Sequence, residues 1–134
     1  MKFKFLKHTA DVKFQAFGKS LNEVFENSAL ALAETMTKGA GIKSKFKRKF
    51  FIKEKDDVAL LQKFLEEFLF LLDAENFILA SCKVKIEDNK LEAEVKGDKA
   101  SSYKFNNDVK AVTYNEMQVK KEKNKYVCQV VLDV

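Results

Sequence analysis

Over residues 12 to 17, VKFQAF, apolar and polar positions change places at nearly every step. Val12, Phe14 and Ala16 fall on one side, and Lys13, Gln15 and Phe17 on the other. That is the two-residue period of a strand with one better-buried face, and Gly18 closes it. The period then changes. Ser20 and Glu23, three residues apart, form a capping-box pattern, and Leu21, Val24, Phe25, Ser28, Leu32 and Met36 follow at helical spacing. The pattern predicts an amphipathic helix over 20–37, ended by the GAG at 39–41, where glycine permits the turn.

KSKFKRKFFIKEK, residues 43–55, reads as a second strand with Phe46, Phe50 and Ile52 inward and lysines outward. Asp56 or Asp57 caps a second helix whose Val58, Leu61, Leu65, Phe68, Leu69 and Leu72 share a stripe, with Glu66 and Glu67 off it. Cys82, Val84 and Ile86 then alternate, EDNK turns, and Leu91, Ala93 and Val95 alternate back as a hairpin. GDKASSYKFNND, 97–108, is the most loop-like stretch, and VKAVTYNEMQV and YVCQVVLDV flank KEKN as a final hairpin. Strand, helix, strand, helix and four strands, with no repeated strand–helix unit, predict an α+β fold. Two helices pack on a mostly antiparallel sheet of about six strands, in one domain spanning 1–134.

Composition narrows the classes. A chain of 134 residues that is 46% hydrophobic can fill one core. FLEEFLFLLDAENF, the greasiest segment, is broken by Glu66, Glu67, Asp73 and Glu75, short of the roughly 20 apolar residues a membrane span needs. MKFKFLKH lacks the apolar core of a signal peptide, so the expectation is a soluble, cytoplasmic protein that engages no membrane. Cys82 and Cys128, without CxxC spacing, suggest reduced buried thiols rather than a zinc site or a disulfide.

The net charge of +5 raises the question of nucleic acid, because lysine displaces counterions from phosphates. Against it, Arg48 is the sole arginine, and bidentate phosphate or base recognition favours Arg. Residues 43–53 accordingly carry two readings: a basic aromatic surface that stacks bases, or a core strand with one solvated face, the ordinary role of phenylalanine. The chain contains one histidine and no P-loop, GxGxxG, GxSxG or HExxH motif, so no catalytic residue is expected.

Chemistry concentrates at two distant places. KHTADV sets His8 three residues before Asp11, and the last residues are Asp133 and Val134. If the final strand lies beside the one after Asp11, the two carboxylates and the oxygens of Val134 converge. Such all-oxygen groups suit Ca²⁺ or Mg²⁺ rather than Zn²⁺. The alternative is a strand-end aspartate in water. His8 is open in the same way, as a ligand, an acid or base, or a group that orients the Asp11 loop through a hydrogen bond.

KHTADV, AFGKSLNEVFENSALALAETM, LLQKFLEEFLFLL, VKAVTY and the closing VLDV, taken in that order, resemble the archease family across essentially the whole chain. The resemblance implies a small α+β protein that is not an enzyme but an activator of the tRNA-splicing RNA ligase of RtcB type, which depends on GTP and Mn²⁺. Archeases promote guanylylation of that ligase, support multiple turnover and broaden its nucleotide use. It further implies a metal site made by Asp11, Asp133 and Val134, with Ca²⁺ first and Mg²⁺ or Mn²⁺ as alternatives. His8 is a supporting residue, tRNA is a partner through the ligase, and the chain cannot extend beyond Val134. Two positions depart from the family pattern: Lys13 where glycine is common, and Asn115 where histidine is common. Lys13 must point away from a cation at Asp11, and no role is assigned to residue 115. The alternative function is a small basic RNA-binding or chaperone-like module acting on tRNA through residues 43–53.

Overall fold

Among the described residues seven strands form, one more than the pattern predicts, and they divide between two sheets. The computed structural model describes residues 1–8 and 11–134. In chain order the elements are β1 (Phe3–Leu6), β2 (Val12–Gly18), α1 (Leu21–Thr37), β3 (Phe46–Lys53), α2 (Asp57–Glu75), β4 (Phe77–Glu87), β5 (Lys90–Lys99), β6 (Ala111–Glu122) and β7 (Lys125–Asp133), with a single 3₁₀ turn at Ala100–Ser102. One sheet has the order β1-β2-β7-β6 and the other β3-β5-β4, and every pairing is antiparallel. The α+β class and the two helices stand as expected. The division into two sheets follows from crossovers that local patterning does not encode.

The helices begin where the caps predict. Ser20 Oγ accepts from Glu23 N at 3.1 Å, Glu23 Oε1 accepts from Lys19 N at 3.0 Å, and Asp56 Oδ1 accepts from Ala59 N at 2.8 Å, so donors orphaned at both helix starts are satisfied. Helix α1 packs on β2 and β4, one strand of each sheet, so it is buried on more than one side. Its buried hydroxyls are satisfied within the helix: Ser28, Thr35 and Thr37 donate to the carbonyls four residues back at 2.8, 2.9 and 3.0 Å. No described helix is long and apolar enough to cross a membrane.

Helix α2 differs in detail from its predicted stripe. Leu60, Phe64 and Leu71 are buried, whereas Val58, Leu69 and Leu72 are only half-buried, because α2 packs on β3, β4 and β6 and so buries a wider face. Phe64 lies at its centre, with ring centroids 5.6 Å from Phe25, 6.2 Å from Phe50 and 5.0 Å from Phe68. On β3, Ile52 is buried and Phe50 half-buried as predicted, but Phe46 is 42% exposed. β3 is an edge strand, and its end residue has a neighbouring strand on one side only.

The predicted loop at 97–108 begins later, since β5 continues to Lys99, and it is firmly tied. Asn106 N donates to Met36 O at 2.7 Å and Asn107 Nδ2 to Thr35 O at 2.9 Å, covering carbonyls at the end of α1. Tyr103 donates to Asp98 at 2.6 Å, which holds the Asp98 carboxyl below its ordinary range and raises the phenol. The two thiols are free, Cys128 buried and Cys82 half-buried, and burial pushes both up to about 12.

Candidate functional site at the ends of β2 and β7

Strands β2 and β7 pair from Gly18↔Tyr126 to Val12↔Leu132. The ladder ends there, and Asp11 and Asp133 each lie one residue beyond that last pair, Asp11 in the bend before β2 and Asp133 at the end of β7. Asp133 is held from its other side as well: it pairs with Ala111 of β6, and its carbonyl accepts from Lys110 N at 2.8 Å. Asp11 is 31% exposed, Asp133 is half-buried, and the half-buried Val134 packs on the core.

His8 lies on the connection between β1 and β2. Its Nδ1 is 3.9 Å from Asp11 Oδ2, and its Nε2 is 3.2 Å from Glu116 Oε2. Lys13 Nζ donates to Glu116 Oε1 at 2.9 Å. Glu116 therefore bridges the histidine and the lysine, and the Lys13 ammonium is engaged by a carboxylate other than Asp11. His8 Nδ1 is buried without a hydrogen-bond partner among the described residues. Thr9 and Ala10 of the HTAD motif lie outside the described residues.

Backbone geometry places Glu116. Between the pairs Thr113↔Val131 and Gln118↔Gln129, β6 advances five residues while β7 moves two, so the surplus arches out of the ladder. Glu116 sits in that bulge at φ +58°, a left-handed conformation unfavourable for a residue with a Cβ. Gln129 Nε2 donates to Glu116 O at 2.9 Å, and Gln15 Nε2 to Gln129 Oε1 at 3.0 Å, so side chains from β2 and β7 brace the arch. Bulges of this kind re-aim side chains. Sequence reasoning missed Glu116. The one available signal was the loss of strand alternation across TYNEM, and attention fell instead on the neighbouring Asn115, which is exposed.

The hydrogen bonds from Lys13 and then His8 hold the Glu116 carboxyl below its ordinary value of 4.5. A depressed carboxylate stabilises the fold above its unfolded pKa, and that contribution disappears as pH falls through the lower folded value. Urea titrations between about pH 6 and pH 3 are expected to show a shallower loss of stability in Glu116→Gln than in the native chain, confined to pH below 4.5. Identical acid limbs would refute this linkage.

Around these groups a cleft of about 380 Å³ opens between the β1–β2 connection and the end of α1, and its lining includes His8, Asp11, Lys13, Glu34 and Lys38. Among the described residues, no group of three or more His, Cys, Asp or Glu side chains stands close enough to hold a metal. Of the two aspartates, Asp11 lines this cleft and Asp133 does not. Carboxylate oxygens are donors that suit a hard divalent cation.

Two small antiparallel sheets packed on a pair of helices define the structural class. The chain belongs to the Archease protein family (MTH1598/TM1083), whose profile matches residues 3–134. It is 35% identical over 139 residues to protein archease of Methanosarcina barkeri, covering 98% of this chain and 95% of that one. It is 36% identical over 137 residues to protein archease of Sulfurisphaera tokodaii, covering 99% of each. The solution structure of Methanobacterium thermoautotrophicum protein 1598 superposes with a TM-score of 0.87 at 36% identity, over 99% of both chains. An archease of Thermotoga maritima, described as a possible chaperone, shares the fold with a TM-score of 0.68 at 20% identity, over 98% of this chain and 96% of that one. The family resemblance carried by HTAD, VKAVTY and VLDV holds.

Proposed function

We propose that this archease-family protein is a non-catalytic activator of a tRNA-splicing RNA ligase of RtcB type. In this reading Asp11, Asp133 and the oxygens of Val134 bind a divalent cation, Ca²⁺ first and Mg²⁺ or Mn²⁺ next. The observation that supports it is the Val12↔Leu132 pair, which stands next in sequence to both Asp11 and Asp133 although about 120 residues separate them in the chain. A bound cation would neutralise the carboxylates and offer a positive centre to phosphate oxygens. The protein's own groups set the conditions for that. Glu116 takes up the Lys13 ammonium, so the lysine at the position where the family commonly has glycine does not compete for Asp11. His8 is anchored through Nε2 to Glu116, and its Nδ1 lies 3.9 Å from Asp11 Oδ2, too far for the hydrogen bond that would orient Asp11.

The test is RNA joining by the cognate ligase under substrate excess, with and without the protein. Acceleration beyond one turnover by the native chain, lost in Asp133→Ala, is the expected result. A native chain without effect on the ligase would end the activator reading. The metal has a separate readout: at 100 times its dissociation constant, Ca²⁺ is expected to raise unfolding stability by about 2.7 kcal/mol in the native chain and by much less in Asp133→Ala. The sequence alternative, a basic RNA-binding or chaperone-like module, concerns residues 43–53 on the other sheet.

A further inference from the structure

The three-stranded sheet turns one face to the helices and the other to solvent. On β3, Lys47, Lys49, Phe51 and Lys53 alternate onto the outer face, and all four are exposed. The register sets them against Lys96, Glu94, Glu92 and Lys90 of β5. Strand β4 adds Lys83 and Lys85 opposite those glutamates, and Glu87 opposite Lys90. The face thus carries seven ammonium groups against three carboxylates. Glu94 is shared by Lys47 at 3.5 Å and Lys49 at 3.7 Å, which leaves most of the positive charge uncompensated.

Phe51 is 74% exposed, whereas its neighbour Phe50 meets Phe64 and Phe68 in the core. Beside Phe51 lies an open cleft of about 420 Å³ lined by Lys85 and Lys90 and by the carboxylates of Glu87, Asp88 and Glu92. Phe51 pairs with Glu92 and has carboxylates at its side, while the lysines of the wider face surround it, so a stacking platform stands within a face of net positive charge.

We infer that the outer face of the β3-β5-β4 sheet binds single-stranded RNA, with a base stacked on Phe51 and the backbone tracked by Lys47, Lys49, Lys85 and Lys90. Charge complementarity selects a polyanion. The single ring distinguishes which one: one aromatic side chain is too little apolar area to anchor a lipid surface stably, yet is sufficient to stack one base. Glu87, Asp88 and Glu92 beside the cleft repel phosphate, which therefore runs along the lysines outside it, but they accept hydrogen bonds from exocyclic amino groups, which an unpaired base exposes. This surface lies on a different sheet from Asp11 and Asp133, so the inference stands apart from the ligase reading.

Fluorescence anisotropy with a labelled single-stranded RNA of about 12 nucleotides tests it, with phosphatidylserine vesicles as the competing polyanion. Four phosphate contacts predict a salt slope near −2.8, so raising salt from about 50 to 250 mM weakens binding roughly 100-fold. Phe51→Ala is expected to weaken RNA binding about tenfold with little change in thermal unfolding. Lys49→Glu combined with Lys85→Glu should weaken it further and flatten the salt slope. Asp133→Ala should bind RNA as the native chain does, which separates this surface from the metal site. The inference is overturned if the native chain does not bind RNA at low salt, if Phe51→Ala binds as well as native, or if vesicles compete the RNA away at equal phosphate concentration.

Discussion

Phe64→Ala is expected to lower unfolding stability by about 3–5 kcal/mol, a large share of the 5–15 kcal/mol that holds a typical domain. Phe64 is fully buried and joins three elements, because its ring meets Phe25 of α1, Phe50 of β3 and Phe68 of its own helix. Truncation removes the apolar area and also leaves a void that rings on separate elements cannot close without moving backbone. In urea the midpoint should fall at constant m, since the transition keeps its extent while the native state loses packing. Phe51→Ala is the internal control. On the same strand as Phe50 but facing water, it is expected to change stability by less than about 0.5 kcal/mol. Equal losses in the two variants would contradict the assignment of faces on β3.

Gly97→Ala is expected to cost about 3 kcal/mol, the upper end for overpacking, despite adding a single methyl group. A Cβ at Gly97 would stand 2.0 Å from the carbonyl oxygen of Ile78 and 2.7 Å from the Phe77 ring, both too close for atoms to coexist. The first contact is with backbone, so no side chain can rotate away to relieve it. Gly97 also sits opposite Leu79, where the β4–β5 register shifts, and opposite Phe46 of β3. Relief would therefore require β4 to move at its irregularity. Thermal unfolding of Gly97→Ala should be lower by roughly 10 °C, and an unchanged midpoint would show that β4 yields freely at that point.

The helices were readable because their signals are local. Ser20, Glu23 and Asp56 act within four residues of where they sit, and chain chemistry alone specifies such caps. The tight turns were readable for a related reason. Asp88 and Asn89 adopt positive φ of 51° and 60°, which Asp and Asn tolerate better than most residues, and the β4–β5 hairpin closes there. β1 escaped notice because FKFL is only four residues long and half exposed at a sheet edge, which hides its alternation. The second sheet escaped for another reason: which strands become neighbours is decided by long-range packing around α1, and no window of sequence contains that information.

The site divides along the same line. Asp11 and Asp133 could be named from motif resemblance, and the β2–β7 register supplies a geometric basis for considering them together. Glu116 could not be found, because its importance lies in a bulge that turns a carboxylate toward His8 and Lys13 from another strand. A left-handed glutamate is a costly choice by local criteria, and such local misfits tend to mark functional or strained positions.

The position of β7 has a kinetic consequence. It is the last strand in chain order, yet it occupies the interior of its sheet, between β2 and β6. β4, β5 and β3 can pair early, because a tight turn and one helix connect them. β2 must instead wait for a partner whose Leu132 lies about 120 residues downstream of Val12, a closure with a large entropic cost and a slow rate. During synthesis the three-stranded sheet is expected to condense first, with β1 and β2 held as an incomplete edge. Asp133 would then reach its place beyond the start of β2 only with the late zipping of β7, so whatever the two strand ends do together becomes possible only after the rest of this sheet is assembled.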